Sequence, residues 1–329
     1  MRLKRIKTER RGFIVVVVLC MIICIAVLLL GFNYQSRTNL RVVDNFQKST
    51  NALNCARAGL NIAIAAIKDA RETTPPQNSP KLLSEDNTFE VGQGNCSVNI
   101  TEENTKLNIN LLIDKNGKPN RTRIDQLLRL IDLLNRDRAG DSHIGYGLVP
   151  AIIDWIDGDD QVTHLPFIKY ENSGAESAYY GNLEMPYRCA NAPTEAVEEL
   201  LLVKGITQDV FESMRDCVTV YGSGEININR ASKHVIESLS EKMDSALAQM
   251  IIDRRKFKPF DSIMELRDVP GMTDGIYNTI RNMVTVSPAD EYYHVKTRGN
   301  AGHRGCTIEA ILRKNMKTGS IEVVFYKES

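Results

Sequence analysis

Residues 13–32 form an uninterrupted apolar run, FIVVVVLCMIICIAVLLLGF, that contains no charged side chain. As a helix rising about 1.5 Å per residue, the run spans roughly 30 Å, the thickness of the hydrocarbon core of a bilayer. The leader before it carries several basic side chains and a single acid, Glu9. By the positive-inside rule the leader stays in the cytoplasm, so everything after Phe32 is expected across the membrane. An ordinary signal anchor has the same pattern, whereas a cleaved secretory signal would show a small-x-small site after the run.

The helix that begins in this run is predicted to continue beyond it. Apolar side chains recur near the helical period of about 3.6 residues until Thr73, Thr74, Pro75 and Pro76 interrupt the pattern. The sequence therefore predicts one helix over residues 13–72, apolar all round in its first half and amphipathic in its second. The periodic positions of the second half are Leu40, Val43, Phe46, Leu53, Ala56, Leu60, Ala63, Ile64 and Ile67.

Short alternating segments predict strands on both sides of a helical block. Two similar phrases, LNIN at residues 107–110 and ININ at residues 226–229, suggest strand edges that bracket an insertion. The predicted fold is α+β, with a long N-terminal helix, an antiparallel sheet and a large inserted α-helical domain. The expected boundaries are a leader at 1–12, the helix at 13–72, the α+β domain at 73–111 and 225–329, and the insertion at 112–224. The predicted strands are 89–91, 97–101, 106–110, 292–296, 307–313 and 321–326, and residues 124–134 are a predicted helix.

Charge and residue usage exclude several classes of function. The net charge is zero, but the chain after residue 12 holds 35 basic and 40 acidic residues, which disfavours a nucleic-acid partner. No histidine falls in a zinc-protease spacing, and no nucleophile elbow or phosphate-binding loop is present, so no enzymatic activity is expected. Five cysteines lie beyond the anchor, where pairing is plausible but leaves one over: Cys55, Cys96, Cys189, Cys217 and Cys306.

Two sets of motifs carry a resemblance to a known family. Gly12 ends the basic leader directly before Phe13, as in type IV prepilins. Further along lie Asp154-Trp155-Ile156-Asp157-Gly158-Asp159-Asp160, Tyr179-Tyr180, Pro186-Tyr187-Arg188-Cys189-Ala190-Asn191-Ala192-Pro193 and Ile226-Asn227-Ile228-Asn229. In this order the motifs resemble the K-type minor pseudopilin of type II secretion. Most pilins carry glutamate five residues into the mature chain, whereas Val17 stands there, and an apolar residue is characteristic of the K type.

The resemblance implies a place in a short fibre. It implies cleavage by prepilin peptidase between Gly12 and Phe13, methylation of the new N-terminus, and a single-pass inner-membrane protein with a periplasmic C-terminal body. It also implies assembly with the I-type and J-type minor pseudopilins at the tip of the pseudopilus, in support of protein export across the outer membrane.

An acidic loop is a candidate metal site. Asp157, Asp159 and Asp160 crowd one glycine-containing loop, and Glu176 follows in a loop-rich stretch. Clustered carboxylates repel unless a cation screens them, and calcium takes six to eight oxygen ligands in flexible geometry. The EF-hand spacing is absent, and a solvated turn with capping aspartates is the alternative. The resemblance also implies calcium in the helical domain, so these four residues are the predicted ligands.

Two further features leave alternatives open. The segments at 202–206 and 266–272 resemble helix-hairpin-helix elements, which makes a membrane-anchored DNA-binding protein the alternative function. Thr207 and Thr273 replace the second glycine of that motif, which favours a packing unit instead. Cys189 and Cys217 flank the first of these hairpins and are predicted to form a disulfide, with two buried thiols as the alternative.

Overall fold

The computed structural model describes residues 9–69, 87–136, 138, 143–169 and 172–329, with side chains from residue 13 onward. Helix α1 (Glu9–Asp69) confirms the predicted long helix, and the interrupting prolines lie outside the described residues. The helices that follow are α2 (Arg121–Asn135), α3 (Leu148–Ile156), α4 (Ser177–Tyr180), α5 (Gln208–Met214), α6 (Lys233–Ser238), α7 (Ser245–Phe257) and α8 (Asp274–Ile280). The strands are β1 (Asn87–Val91), β2 (Gly94–Glu102), β3 (Leu107–Asn108), β4 (Val218–Thr219), β5 (Ile226–Asn227), β6 (Val284–Thr285), β7 (Asp290–Ala301), β8 (Arg304–Asn315) and β9 (Ile321–Glu328).

Helix α1 changes character along its length. Its apolar residues from Phe13 to Phe32 are exposed, which suits lipid and not a protein core. This is the one helix of the described chain that is long and apolar enough to cross a membrane. From Ala52 onward one face is buried against the sheet. The anchor and the spine of the body are therefore one continuous helix.

Five antiparallel strands form the sheet in the order β1-β2-β7-β8-β9. Helix α1 lies across its centre, and glycine makes a close approach possible: a Cβ at Gly299 would lie 2.1 Å from the carbonyl oxygen of Ala52. Two residues before Gly299 in β7, Thr297 Oγ1 donates a hydrogen bond of 3.0 Å to the carbonyl of Ala56. At the far end, the buried Lys314 donates through Nζ to the carbonyls of Ile67 and Lys68 in the last turn of α1.

These contacts fix the direction of the helix on the sheet. Ala52, early in the buried part of α1, lies against Gly299 near the end of β7. Ile67, near the end of α1, contacts Lys314, whose cross-strand neighbour is Glu291 at the start of β7. The C-terminal end of α1 therefore lies beside the start of β7. Because α1 enters the body from its anchor, this is the end of the sheet farthest from the membrane.

The helical region, residues 103–287, attaches at that same end. Glu102, at the end of β2, accepts from Arg230 and from Asn227 at 2.9 Å each. Asn104 Nδ2 donates to the carbonyl of Asp290 at 3.1 Å. The helical region has its own hydrophobic core, separate from the core between α1 and the sheet.

Two similar units make up the helical region. In the first, β3 pairs in parallel with β4, and in the second, β5 pairs in parallel with β6. Asn110 exchanges two hydrogen bonds with the backbone of Thr194, and Asn229 exchanges the same two with the backbone of Phe260. The phrases LNIN and ININ are thus equivalent parts of two units. The predicted boundary at residue 225 falls between the two units and not between sheet and helices.

Candidate metal centre

Three acidic side chains meet between α3 and α4. Helix α3 is buried along its whole length, and it carries Asp154 one turn before Asp157, so both carboxylates project from one face. Glu176 is the residue directly before α4. Oxygen atoms from the three carboxylates lie within 4.8 Å of one another.

These carboxylates are buried without enough partners. Asp154, Asp157 and Glu176 are 0%, 6% and 2% exposed. Asp154 Oδ2, Asp157 Oδ1 and both oxygens of Glu176 have no hydrogen-bond partner among the described residues. The second oxygen of Asp154 accepts from the backbone N–H of Thr163 at 2.8 Å. Buried unpaired charge is costly in a folded protein, so the cluster calls for a cation or for protons.

Burial, together with repulsion from nearby carboxylates, raises the pKa of all three groups. Burial is the main cause for Glu176, and with the nearby Asp154, Asp157 and Asp160 it raises the pKa of Glu176 to about 7. Burial, with Asp159 and Asp154, raises the pKa of Asp157 to about 6. Burial also raises the pKa of Asp154. In the absence of a cation, these groups therefore take up protons at a higher pH than ordinary carboxyl groups do.

The surrounding backbone is shaped to this cluster. A Cβ at Gly174 would lie 2.1 Å from Asp154 Oδ2, so only glycine lets the chain pass this close. Asn191 adopts φ 46°, and its side-chain amide donates to the carbonyl of Asp159. The Oδ1 atom of Asn191 is buried and also lacks a partner in the described part of the chain.

The structure places only two of the four predicted ligands in the cluster. Asp159 Oδ1 accepts from the backbone N–H of Gln161 at 2.8 Å, and Asp160 Oδ1 accepts from that of Ser177 at 3.3 Å. Their side chains stabilise the loop and lie outside the three-residue group. Asp154 takes their place, and its position three residues before Asp157 in a helical segment was the signal that could have found it.

The donor set fits a hard cation. The unpartnered atoms of Asp154, Asp157, Glu176 and Asn191 are all carboxylate or amide oxygens, the chemistry that calcium prefers and zinc does not. Cys189 is adjacent, since its Sγ lies 3.3 Å from the carbonyl of Asp154. Burial raises the pKa of Cys189 to about 12, so it remains a neutral thiol and a poor metal ligand.

The predicted disulfide is not formed in this structure. Cys189 and Cys217 are both free and buried. Cys189 lies against Asp154, whereas Cys217 precedes β4 and is hydrogen bonded to the side chain of Ser232. Each thiol therefore has its own surroundings in the structure, and the two are not bonded to each other.

In both hairpins, backbone N–H groups and threonine side chains are used in hydrogen bonds within the hairpin or to the helix that follows it. Ile206 N–H donates to Val203 at 3.1 Å, and Met272 N–H donates to Val269 at 3.0 Å. Thr207 and Thr273 cap the following helices by accepting from Val210 and Ile276. These groups are therefore not free for a phosphate, and the hairpins act as packing units.

Gly12 and Phe13 lie within α1, four and five residues into the helix. Residues 1–8 of the predicted leader lie outside the described residues.

The fold defines a class: a membrane-anchored, pilin-like α+β protein with an elaborate helical region. Two family models described as type II secretion system protein K match residues 105–223 and 226–287. The chain belongs to the type II secretion system protein K family. The boundary between the two matches coincides with the boundary between the two helical units.

A curated relative and a solved structure agree with this assignment. The chain is 23% identical over 223 residues to the type II secretion system protein K of Pectobacterium carotovorum subsp. carotovorum. That match spans 65% of this chain and 64% of the relative's length. A chain in the crystal structure of the GspK-GspI-GspJ complex from the enterotoxigenic Escherichia coli Type 2 Secretion System shares the fold, with a TM-score of 0.67 and 17% identity. The likeness covers 88% of this chain and 99% of that one.

Proposed function

We propose that this protein is a minor pseudopilin at the tip of the type II secretion pseudopilus, where it supports protein export across the outer membrane. The observation that carries this proposal is the position of the helical region at the membrane-distal end of the sheet. A subunit with that much mass beyond its own spine leaves no room for another subunit to stack above it. It acts by assembly and not by catalysis.

The partners are the I-type and J-type minor pseudopilins. The solved structure with this fold is a complex of GspK, GspI and GspJ, and this chain shares the fold of one of its chains. Leu40, Val43 and Phe46 of α1 are 66%, 61% and 74% exposed, above the membrane span and before the buried face begins. They form an apolar stripe that this chain does not cover, and partner helices would bury it.

The anchor lies in the inner membrane and the body in the periplasm. Prepilin peptidase removes residues 1–12, so Phe13 becomes the methylated N-terminus. Val17 cannot supply the carboxylate that pairs with the N-terminal amine of a neighbour in a pilus. A subunit with nothing above it has no need of that pair.

Calcium occupies the metal centre. Asp154, Asp157 and Glu176 supply charged oxygens, and Asn191 Oδ1 is a further neutral donor beside the loop. The cation neutralises the buried charge and holds the connection between α3 and α4 in place.

Assembly is tested with the full chain. Co-expressed with its I-type and J-type partners and extracted in mild detergent, the tagged protein should retain both through affinity purification. Phe46→Glu should lose them, because it places a charge in the apolar stripe. Gln47→Glu is the matched control, since Gln47 is an exposed neighbour that is already polar.

Equal retention by Phe46→Glu and the wild type would refute the proposed partner surface. Retention of neither partner by the wild type would refute the proposed assembly. Retardation of duplex DNA at low salt would instead support the DNA-binding alternative.

A further inference from the structure

We propose that Cys55 of α1 and Cys96 of β2 form a disulfide bond that ties the spine helix covalently to the sheet. Both thiols are free in the structure and lie in the core between α1 and the sheet, 3% and 0% exposed. The inference rests on the proposed periplasmic location, because only an oxidising compartment would close the bond.

Two glycines place Cys55 close to Cys96. Gly299 is the direct cross-strand partner of Cys96, and a Cβ at Gly299 would lie 2.9 Å from the Cβ of Cys55. Side chains of directly opposed residues are about 4.5–5.5 Å apart at Cβ. Gly94 lies two residues before Cys96 on the same face of β2, and a Cβ there would lie 2.8 Å from the Sγ of Cys55. Cys55 therefore occupies the notch that the two glycines leave beside Cys96.

The sulphur of Cys55 has no strong partner to hold it. Its contact is a weak one of 3.5 Å to the carbonyl oxygen of Val91, on the strand beyond β2. A rotation about the Cα–Cβ bond of Cys55 would carry its sulphur along β2 toward Cys96. The two thiols are near enough to interact, since burial raises the pKa of Cys96 and the nearby Cys55 raises it further. A disulfide needs Cβ atoms about 3.5–4.5 Å apart, and the proposed bond requires Cys55 and Cys96 to reach that separation.

A third cysteine provides an internal comparison. Cys306 pairs with Gly299 from the other side, so it too borders the notch. Its thiol is half-buried and lies near Arg57 and Glu328, at the edge of the helix. The sulphur of Cys55 points to the β1–β2 side, which selects Cys96 over Cys306.

The chemistry is thiol–disulfide exchange with a disulfide donor of the periplasmic oxidase class. One cysteine thiolate attacks the donor disulfide, forms a mixed disulfide and releases one donor thiol. The second cysteine then attacks the mixed disulfide, forms the Cys55–Cys96 bond and releases the other donor thiol. Two electrons and two protons pass to the donor. Because burial suppresses the thiolate of Cys96, the exchange takes place before α1 has fully docked on the sheet.

The bond would fix the spine at the point where it meets the sheet. Between Ala52 and Gly59 the helix and the sheet approach closely, with Gly299 against Ala52 and Gly59 against Thr297. A covalent link here would prevent α1 from sliding over the sheet.

Peptide mapping of the full chain tests the proposal. Cells expressing the protein are quenched in acid, free thiols are alkylated, and the protein is digested with trypsin without reduction. We expect the peptide of residues 49–57 linked to that of residues 82–106, about 2 Da lighter than the two reduced peptides together. Cys306→Ser should leave the link intact, and Cys96→Ser should abolish it. In detergent, the oxidised protein should melt several degrees higher than the same protein treated with reductant.

Three outcomes would overturn part of this reasoning, and they are distinguishable. A link from residues 49–57 to residues 305–313 would show that Cys306 is the partner and would overturn the assignment to Cys96. Free thiols in cells and also after denatured protein is refolded in detergent with oxidised glutathione would overturn the pairing itself. Free thiols in cells but a Cys55–Cys96 link after refolding would leave the juxtaposition standing and overturn the periplasmic location on which the proposed function depends.

Discussion

Replacing Glu176 by glutamine should stabilise the protein without calcium and destabilise it with calcium. In the absence of a cation, Glu176 is buried beside two other carboxylates with neither oxygen hydrogen bonded in the described chain. Its pKa rises from 4.5 to about 7, and at about 1.4 kcal/mol per unit this amounts to roughly 3 kcal/mol at neutral or higher pH. The amide removes that cost, and its N–H groups can donate to the unpartnered oxygens of Asp154 and Asp157.

With calcium the order reverses. A ligand at a hundredfold excess over its Kd stabilises the folded state by about 2.7 kcal/mol. Glutamine at position 176 removes a charged ligand, so calcium should stabilise the folded variant by much less. The wild type should therefore melt roughly 5–10 °C higher in millimolar calcium than in EGTA, and Glu176→Gln should melt at nearly the same temperature in both.

The pH dependence provides a second readout of the same site. Because the pKa values of Asp157 and Glu176 are raised in the folded state, the protonated forms favour folding. In EGTA this stability is fully present below about pH 4, the unfolded pKa range, and is lost as pH rises through about 6 to 7. In calcium the trend is opposed, since the cation binds the deprotonated carboxylates.

The assay is thermal unfolding of the detergent-extracted full chain at several pH values, with calcium or with EGTA. Glu184→Gln is the matched control, because Glu184 is an exposed acid in the same region and should change neither melting curve by more than about 0.5 kcal/mol. Equal destabilisation by Glu176→Gln in calcium and in EGTA would refute the reasoning, since it would make Glu176 an ordinary structural residue.

Three further predictions concern the processing and packing of α1. Intact-mass analysis of membrane-extracted protein should show the loss of residues 1–12 and the gain of a methyl group on Phe13; a full-length mass would contradict cleavage after Gly12. Lys314→Met should lower the free energy of unfolding by about 2–3 kcal/mol, because it leaves the carbonyls of Ile67 and Lys68 without their buried cationic donor; denaturant unfolding that matches the wild type would refute this. Gly299→Val should cost about 3 kcal/mol or more by the same measurement, since its Cβ overlaps the backbone of α1, whereas Gly275→Ala, with nothing closer than 3.8 Å, should be neutral.

The elements that follow from periodicity were predictable. The apolar stripe of α1 and the alternating strands of β7 and β8 bury one face each, so their patterns appear directly in the sequence. The predicted strands at 89–91 and 97–101 are confirmed within β1 and β2. Periodicity could not predict which elements contact each other. No residue near Gly299 in the sequence indicates that α1 packs against it.

The candidate metal centre shows the same limit. Asp157 and Glu176 were predicted because acidic residues stand out in a loop, and both lie in the cluster of three carboxylates. Asp154 was missed because it lies within a buried apolar helix, where a single carboxylate is inconspicuous. Asp159 and Asp160 were included because they crowd the same loop. In the structure, however, Asp159 accepts a hydrogen bond from the backbone N–H of Gln161, and Asp160 accepts one from that of Ser177. Which carboxylates converge depends on where α3 ends, and the sequence does not fix that residue closely enough.

The internal repeat shows which of the two helical units contains the candidate metal centre. The hairpins correspond at a constant offset of 66 residues: Glu199, Gly205 and Thr207 of the first unit match Glu265, Gly271 and Thr273 of the second. The two glycines adopt φ 85° and 88°, so the conformation repeats with the sequence. The first unit is the longer of the two: its stretch from Asn110 to Thr194 corresponds to the shorter stretch from Asn229 to Phe260 in the second unit. Helices α3 and α4 and all three acidic residues lie in the longer stretch. That stretch includes loops with little regular structure and the cluster of buried carboxylates, so the proposed calcium would stabilise the part of the first unit that the second unit lacks.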